Sequence, residues 1–366
     1  MVKVGIIGLG YWGPNLERNI SNLNDSKLVA VCDLIDDRLE YVRKQSPGIY
    51  ATKNADDILN KDLIDAVVIA TPTRTHYELT RQALEHGIHV LVEKPLATTS
   101  CDCEDLIELA EANELILFVG HVFLYNSAVK KLKELIDRGK LGNIIHITAN
   151  RLNLGPVRSD VNVLWDLAPH DISIILELIG RMPVSVNCQG LTYLKNNVHD
   201  VCTLTMHFQP KTMASVYVSW LDPNKVRTMT VVGEKMMVVF DDNEPLEKLR
   251  IYNKRVKAVG RSDTFSEFQN SYRYGDTNSP WVKLVEPLKK ECQEFLHCVK
   301  NEEQPKTDGY NGLDVVRVLE AADYSLRHHG QIVKLAYNRK SKPSQLKPSF
   351  KPSIKREDIL DESAIR

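Results

Sequence analysis

The sequence predicts an α/β protein with an N-terminal, doubly wound parallel sheet and a C-terminal α+β domain built on a large, mostly antiparallel open sheet. Two observations carry this prediction. Residues 1–120 alternate short β-branched runs with amphipathic stretches, whereas the β-branched runs that follow come one after another with few helices between them. Alternating strands and helices form parallel sheets covered on both faces, and successive strands form antiparallel sheets.

The predicted strands of the first domain are VKVGII, KLVAVCD, DAVVIA, HVLVEK and LILFVG. Between them, segments such as THYELTRQALEHG and CEDLIELAEANE carry apolar residues at helical spacing. Strands connected in this way form right-handed βαβ units. We therefore assign residues 1–120 to a Rossmann domain.

After Gly120 we expect a helix at about 126–138 and a second across 165–180. The following strands are VSVNCQGL, VCTLTMHF, TMASVYVSW, RTMTVVG, KMMVVFD and EKLRIYN. A long irregular segment at 253–285 precedes further helices near 286–300 and 312–329. We assign residues 121–336 to a substrate-binding α+β domain, and we expect its open sheet to join subunits in a homodimer or homotetramer.

Residues 337–366 repeat Lys-Pro-Ser three times, which predicts an extended arm. The chain of 366 residues has a net charge of −1 and no basic stripe, so nucleic acid is not an expected partner. No apolar run is long enough to span a membrane, and the N-terminus does not resemble a secretory signal. Seven scattered cysteines fit reduced thiols in the cytoplasm, and no cluster has metal-ligand spacing.

Three glycines follow the first strand in the pattern G-x-G-x-x-G. Gly8 permits a tight turn, Gly10 lets a pyrophosphate approach the backbone, and Gly13 allows close packing of helix and strand. The second strand ends at Asp33, 20 residues after Gly13, where a carboxylate would accept hydrogen bonds from ribose hydroxyls. Because a carboxylate repels a 2′-phosphate, we expect NAD rather than NADP. Arg38 either softens this preference or lies on the helix surface.

Five other residues are expected to border the cofactor. Tyr11 and Trp12 lie inside the glycine loop, where they either pack on the cofactor or cap the domain. Thr71, Pro72 and His76 belong to the motif ATPTRTH, which follows the third predicted strand. Strand carboxyl ends are the ligand-binding edge of an open α/β sheet.

The motif Glu93-Lys94-Pro95 ends the strand HVLVEK, at the same edge of the sheet. There Glu93 would border the cofactor, and Lys94 would enter the cleft. Partial desolvation near a positive nicotinamide ring would make the ammonium lose its proton more easily. A structural lysine held by a salt bridge is the alternative interpretation.

Asp166 and His170 lie four residues apart in WDLAPHD, so on a helix they would share one face. A carboxylate beside an imidazole orients the ring and raises its basicity, which suits acid–base catalysis. Alternatively, the motif is a helix N-terminus in which Asp166 acts as the cap and Pro169 lies in the first turn.

Together these motifs resemble the Gfo/Idh/MocA oxidoreductases over nearly the whole chain to about residue 336. The matching features are the glycine loop, ATPTRTH, the EKP motif, KLKELIDRGKLGNIIHI and the late Asp/His pair. The resemblance implies a Rossmann domain, an open-sheet domain and a final helix that packs back on the first domain. By matching position, it implies that Lys94, Asp166 and His170 are catalytic.

The segments NRLNLGPVRSDVNVLWDLAPHD and YRYGDTNSPWVKLVEPL look like those of members that act on C3 of UDP-linked N-acetyl sugars in polysaccharide or lipopolysaccharide biosynthesis. The chain departs from the family's usual glycine-rich entry to the Asp/His motif. Residues that would reach sugar hydroxyls or a diphosphate, in addition to the catalytic three, are Arg151, Asn153, Arg158 and Asn162. A dehydrogenase of free polyols such as myo-inositol and a non-catalytic NAD-binding sensor are the alternative functions.

Overall fold

The computed structural model describes residues 1–155, 157–158, 160–195, 198–256 and 272–335. The predicted Lys-Pro-Ser arm and the middle of the predicted irregular segment lie outside these residues. All seven cysteines are unpaired.

The first sheet has six parallel strands, as the alternating pattern predicted. They are β1 (Val2–Ile7), β2 (Ser26–Cys32), β3 (Tyr50–Thr52), β4 (Ala66–Ile69), β5 (His89–Glu93) and β6 (Leu117–Gly120), in the spatial order β3-β2-β1-β4-β5-β6. The helices of this region are α1 (Gly13–Ser21), α2 (Asp36–Gln45), α3 (His76–Glu85) and α4 (Ser100–Ala112). The short β3 was not predicted, because three residues show no readable periodicity.

These strands are buried between helix layers, which explains their continuous apolar runs. All four residues of β4 are buried, and so are the three central residues of β5. Because the strands run in the same direction, their carboxyl ends meet at one edge of the sheet. This edge brings together the residues that follow the strands, among them Gly8, Asp33, Lys94 and His121.

The second region contains eleven described strands. They are β7 (Ile144–Leu154), β8 (Ser185–Leu191), β9 (Val201–Phe208), β10 (Thr212–Ser219), β11 (Leu221–Gly233), β12 (Met237–Asp241), β13 (Leu249–Tyr252), β14 (Arg255–Val256), β15 (Tyr272–Arg273), β16 (Thr277–Asn278) and β17 (Val333–Lys334). Nine form one sheet in the order β16-β13-β12-β11-β7-β10-β9-β8-β17, and β14 pairs with β15. The predicted irregular segment therefore contains three two-residue strands, too short to show a pattern.

The large sheet is mostly antiparallel, as predicted, and the pair β7–β10 is parallel. The helices here are α5 (Ser127–Asp137), α6 (Val163–Ile179), α7 (Pro287–Asn301) and α8 (Gly309–Arg327). Because α6 carries the chain back across the sheet, β8 and then β10 run in the same direction as β7.

The two last helices pack back on the first region, and α8 also contacts the large sheet. Phe295 of α7 packs edge-on against Phe118 of the first sheet. Helix α8 contributes Val316 to the core of the first region and Val315 to the core of the second. The strand edge that carries Lys94 is thereby held against the N-terminal part of α6. In the described residues, no helix combines the length and apolarity that a membrane crossing requires.

Candidate active site

The glycine loop has the shape of a pyrophosphate cradle. Gly8 has a φ of +97°, and a Cβ there would lie 2.6 Å from the carbonyl oxygen of Ala70. A Cβ on Gly13 would lie 2.3 Å from the carbonyl oxygen of Gly8. Gly10, by contrast, has open space, with only the Arg38 guanidinium 3.8 Å from the Cβ position. The loop opens into α1, so the positive end of the helix dipole lies at the loop, and these residues fit a dinucleotide phosphate.

Asp33 is buried at the end of β2 and held firmly against this loop. Its Oδ2 accepts the N–H of Leu9 at 2.7 Å, and its Oδ1 accepts the N–H of Ile35 at 2.9 Å. Arg38 pairs with the same carboxylate at 3.2 Å. Arg38 therefore lies beside Asp33 and Gly10 rather than apart from the predicted cofactor residues.

The two loops that follow β4 and β5 are braced by His76. Its Nδ1 lies 2.7 Å from the carbonyl oxygen of Pro95, and its Nε2 lies 3.0 Å from that of Thr71. The ring is buried, and burial lowers its pKa. His76 therefore positions the Thr71-Pro72 turn and the Lys94-Pro95 turn relative to each other, and this buried brace favours an indirect role in cofactor binding.

The two aromatic residues of the glycine loop lie in different environments. Tyr11 is 97% exposed, whereas Trp12 packs on the core beneath the loop. The Trp12 side chain also acts on Glu93, where it opposes the rise in pKa of that carboxyl. Trp12 thus joins the cofactor loop to the EKP motif, and Tyr11 is free to contact a ligand.

Lys94 extends from the end of β5 to the second region of the chain. Its Nζ donates to the backbone carbonyl oxygen of Asp166, at the start of α6, at 2.8 Å. Burial lowers the pKa of Lys94, while the carboxylates of Asp166 and Glu93 act in the opposite direction. An ammonium has three donors, so two remain for a ligand.

The Asp166 carboxylate is held by groups other than His170. Its Oδ1 accepts from Arg158 at 3.2 Å, and its Oδ2 accepts from the Trp220 indole at 3.1 Å. The expected carboxylate–imidazole hydrogen bond is thus not among the contacts of the described residues. The cap of α6 is Asn162, whose Oδ1 accepts the N–H of Trp165 at 3.1 Å. Asp166 is therefore free of the capping role that was the alternative interpretation.

His170 lies in the same cleft with a pKa well below its ordinary value, which corrects the expectation that its basicity is raised. Burial is the main cause, and the charges of Lys94, Arg151 and Arg227 act in the same direction. The Phe123 ring packs edge-on against the imidazole at 5.1 Å between ring centres. The imidazole is therefore neutral at pH 7, so one of its nitrogens carries a lone pair, although its basicity is lower than that of a free imidazole.

The four predicted substrate-binding residues have different surroundings. Arg151 is buried and bonded to Asp171 at 2.6 and 3.1 Å, beneath the site. Asn162 is occupied as a helix cap and also donates to Asp323. Arg158 is half-buried between Asp160 and Asp166, and the buried Oδ1 of Asn153 has no partner among the described residues. Arg158 and Asn153 are therefore better placed for substrate contact than Arg151 and Asn162.

Glu93 faces a second buried carboxyl group, that of Glu291 on α7. Burial, opposed by Lys94, raises the pKa of Glu93 to about 7. Both carboxylate oxygens of Glu291 are buried without a partner among the described residues. Burial and the neighbouring charge of Glu93 raise the pKa of Glu291 well above its ordinary value. Both effects favour the protonated form of the Glu291 carboxyl in the folded protein.

Replacing Glu291 with glutamine should remove part of the pH dependence of stability. In the wild type, Glu291 ionises above about pH 4.5 only in the unfolded chain, so the free energy of unfolding falls by up to ~1.4 kcal/mol per pH unit from there up to the raised pKa. Thermal unfolding at pH 5 and pH 8 should therefore show a smaller loss of Tm in Glu291→Gln. Glu294→Gln on the same helix is the control, and equal losses in all three proteins would contradict the prediction.

Several residues of the site were not predicted from the sequence. Trp220 binds Asp166 through its side chain, but it is distant in sequence and belongs to no motif. Asp171, which binds Arg151, ends the motif WDLAPHD and could have been found there. His121 could have been found, because it directly follows the strand LFVG at the same sheet edge as Lys94.

Comparison with known proteins agrees with this geometry. Residues 2–121 match the oxidoreductase family model with an NAD-binding Rossmann fold, and residues 129–239 match the Gfo/Idh/MocA C-terminal domain. The chain is 29% identical over 231 residues to the UDP-N-acetylglucosamine 3-dehydrogenase of Acidithiobacillus ferrooxidans, covering 63% of this chain and 71% of that protein. It is 25% identical over 339 residues to the myo-inositol 2-dehydrogenase of Thermotoga maritima, covering 89% and 96%.

A solved structure extends the match across both regions. This is the crystal structure of a predicted oxidoreductase from Magnetospirillum magnetotacticum MS-1, which shares 30% sequence identity with this chain and superposes with a TM-score of 0.76. The match covers 88% of this chain and 99% of that one. The fold, the glycine cradle and these matches agree. The chain therefore belongs to the Gfo/Idh/MocA family of oxidoreductases, and residues 2–121 form its NAD-binding Rossmann domain.

Proposed function

We propose that this oxidoreductase oxidises a secondary alcohol of a sugar, at C3 of a UDP-linked N-acetyl sugar in polysaccharide or lipopolysaccharide biosynthesis. The observation that carries the proposal is the contact between Lys94 Nζ and the carbonyl oxygen of Asp166 at 2.8 Å. This contact joins the cofactor-binding sheet edge to the helix that carries His170. The similarity to the Acidithiobacillus UDP-N-acetylglucosamine 3-dehydrogenase supports the choice of sugar.

Bound NAD supplies a nicotinamide ring that accepts the hydride from the alcohol carbon. The neutral imidazole of His170 accepts the hydroxyl proton. The Lys94 ammonium donates a hydrogen bond to the same oxygen and stabilises its developing negative charge. The cations around His170 create a positive potential at the alkoxide, and they also oppose protonation of the imidazole.

Other residues position this pair. Arg158 holds the Asp166 carboxylate and thereby the backbone carbonyl group to which Lys94 donates. The Arg151–Asp171 ion pair supports Phe123, whose ring lies beneath the Arg151 guanidinium at 4.6 Å and contacts His170. The guanidinium of Arg158 is about one-third exposed, so its planar fork can also reach a phosphate or a sugar hydroxyl.

We also propose that the large sheet joins subunits into a homodimer or homotetramer. One face of this sheet carries the apolar core, and the other presents side chains that include Met213 on β10 and the neighbouring His146 on β7. Met213 is more than one-third exposed. A broad sheet face of this kind suits a two-fold interface.

The proposed reaction is tested by incubating the purified protein with NAD and UDP-N-acetylglucosamine deuterated at C3. We expect absorbance at 340 nm to rise and mass spectrometry to find the deuterium in the reduced cofactor. If the enzyme retains its cofactor, the bound NADH still absorbs at 340 nm. A single turnover is therefore enough to detect the reaction. Retention of deuterium in the sugar would contradict the proposal, and the non-deuterated sugar is the control.

The second candidate is oxidation of a free polyol, favoured by the similarity to the Thermotoga myo-inositol 2-dehydrogenase over nearly that whole protein. The same assay with myo-inositol separates the two. If myo-inositol reduces NAD and UDP-N-acetylglucosamine does not, the substrate is a free polyol rather than a nucleotide sugar. No reduction with either compound, despite NAD binding, would favour the non-catalytic sensor.

A further inference from the structure

His121 directly follows β6 at the sheet edge that carries Lys94, and the mechanism above gives it no role. Strands β5 and β6 are parallel with Glu93 opposite Gly120, so Lys94 and His121 leave the sheet side by side. The His121 ring is 1% exposed. The charge of Lys94 acts on it, and His121 in turn is among the groups that act on His170. His121 thus lies in the cleft where the two proposed catalytic groups meet.

The hydrogen bonds of His121 define which of its nitrogens carries the proton. Its Nδ1 lies 2.6 Å from the side-chain oxygen of Asn311, near the start of α8. A carbonyl oxygen only accepts, so Nδ1 donates and carries the hydrogen. Burial lowers the pKa of His121 to about 4, and the ring is therefore neutral at pH 7. Nε2 must then carry a bare lone pair.

This lone pair has no donor. Nε2 of His121 is buried and lacks a hydrogen-bond partner among the described residues. Native proteins rarely leave a buried acceptor unpaired, because the group loses its bond to water and gains nothing in return. An unpaired acceptor beside a catalytic ammonium is therefore a place where a ligand supplies the missing donor.

The hydroxyl group that reacts cannot be that donor. It has one hydrogen, and in the proposed mechanism this hydrogen passes to His170. The Lys94 ammonium could donate to this lone pair, but in the structure it donates to the carbonyl oxygen of Asp166, and Nε2 of His121 has no partner among the described residues. His121 must instead receive a hydrogen bond from a second group close to the reacting oxygen.

We propose that His121 is a substrate-binding residue whose Nε2 accepts a hydrogen bond from a hydroxyl or amide N–H on the ring carbon next to the one oxidised. This inference rests on the proposed function, because it needs a sugar-like ring with neighbouring polar groups. Asn311 is a positioning residue, since it holds the imidazole in the tautomer that accepts. The substrate class is thereby narrowed to rings with a hydrogen-bond donor beside the reactive alcohol.

The test compares His121→Phe, which keeps a ring but removes the acceptor, with His121→Asn, which keeps a shorter side chain that can accept. Calorimetry measures the Kd of UDP-N-acetylglucosamine and of myo-inositol for the NADH-loaded protein, and fluorescence measures the Kd of NADH. We expect His121→Phe to weaken binding of the sugar or polyol about tenfold, the usual size of one neutral hydrogen bond. The Kd of NADH should stay within about twofold of the wild-type value.

Partial recovery of sugar binding in His121→Asn would support the proposal, because a merely structural role would not depend on an acceptor. Weaker NADH binding with unchanged sugar binding would overturn it and assign the lone pair to the cofactor. Unchanged binding of both would overturn it as well. Failure of the wild type to bind either compound would refute the proposed function and this inference together, whereas wild-type binding that His121→Phe leaves intact refutes only this inference.

Discussion

Lys94→Met should lower turnover by roughly 10³-fold while the protein still binds NADH. Methionine keeps the length and apolar stem of the side chain but has no charge and no N–H donor. The developing alkoxide then loses its ammonium, and the carbonyl oxygen of Asp166 loses its donor. Steady-state kinetics measure the loss of turnover, and fluorescence titration measures whether NADH still binds.

A matched control is available on α5. Lys130 is also a partly buried lysine, and its ammonium lies 5.1 Å from the centre of the Tyr125 ring, outside the proposed site. Lys130→Met should leave turnover within about threefold of the wild-type value. Near-normal turnover in Lys94→Met would refute the assignment of Lys94, and loss of NADH binding in that variant would shift its role to the cofactor.

His170→Asn should lower turnover by about 10²–10⁴-fold, the usual contribution of a general base. Asparagine is polar and similar in volume, but it cannot take up a proton at neutral pH. The fall should appear in kcat rather than in the Kd of NADH. His207→Asn on β9 is the control, because β9 belongs to the large sheet away from the cleft.

The pH dependence of the wild type offers a further check on His170. Burial and nearby cations hold its pKa well below the ordinary value of 6.5, so the imidazole stays neutral as the pH falls through that value. Oxidation should therefore not lose rate between pH 8 and pH 6.5 through protonation of this residue. A single ionisation near pH 6.5 that disappears in His170→Asn would contradict this expectation.

Much of the fold could be predicted because periodicity is local. Alternating buried strands and helices indicated the parallel sheet, and that sheet places the carboxyl ends of its strands at one edge whatever the details of packing. The rule that selected Lys94 applies equally to His121, which directly follows its strand. The two-residue strands and β3 escaped prediction, because so few residues show no pattern.

Only the residues of the proposed site that lie in short motifs could be predicted, because sequence patterns are local. Lys94, Asp166 and His170 belong to short motifs, and the structure brings Lys94 to the backbone of Asp166 as a shared site requires. The partners of these residues are distant in sequence. Trp220 on the Asp166 carboxylate and Glu291 beside Glu93 come from elements that meet the site only after the chain has folded.

The sequence by itself predicted the α/β class and the NAD cradle, because each depends on spacing along one strand, turn or helix. The three residues proposed to be catalytic lie in short motifs, and the resemblance to the family singled them out. The tertiary structure decided their electrostatics. It placed Arg158 rather than His170 on Asp166 and lowered the pKa of His170 where a neighbouring carboxylate had been expected to raise it. It also left the lone pair of His121 without a donor in the part of the chain that the structure describes. The physical reason is that burial and charge depend on every element packed around a group, and spacing along the chain does not contain that information.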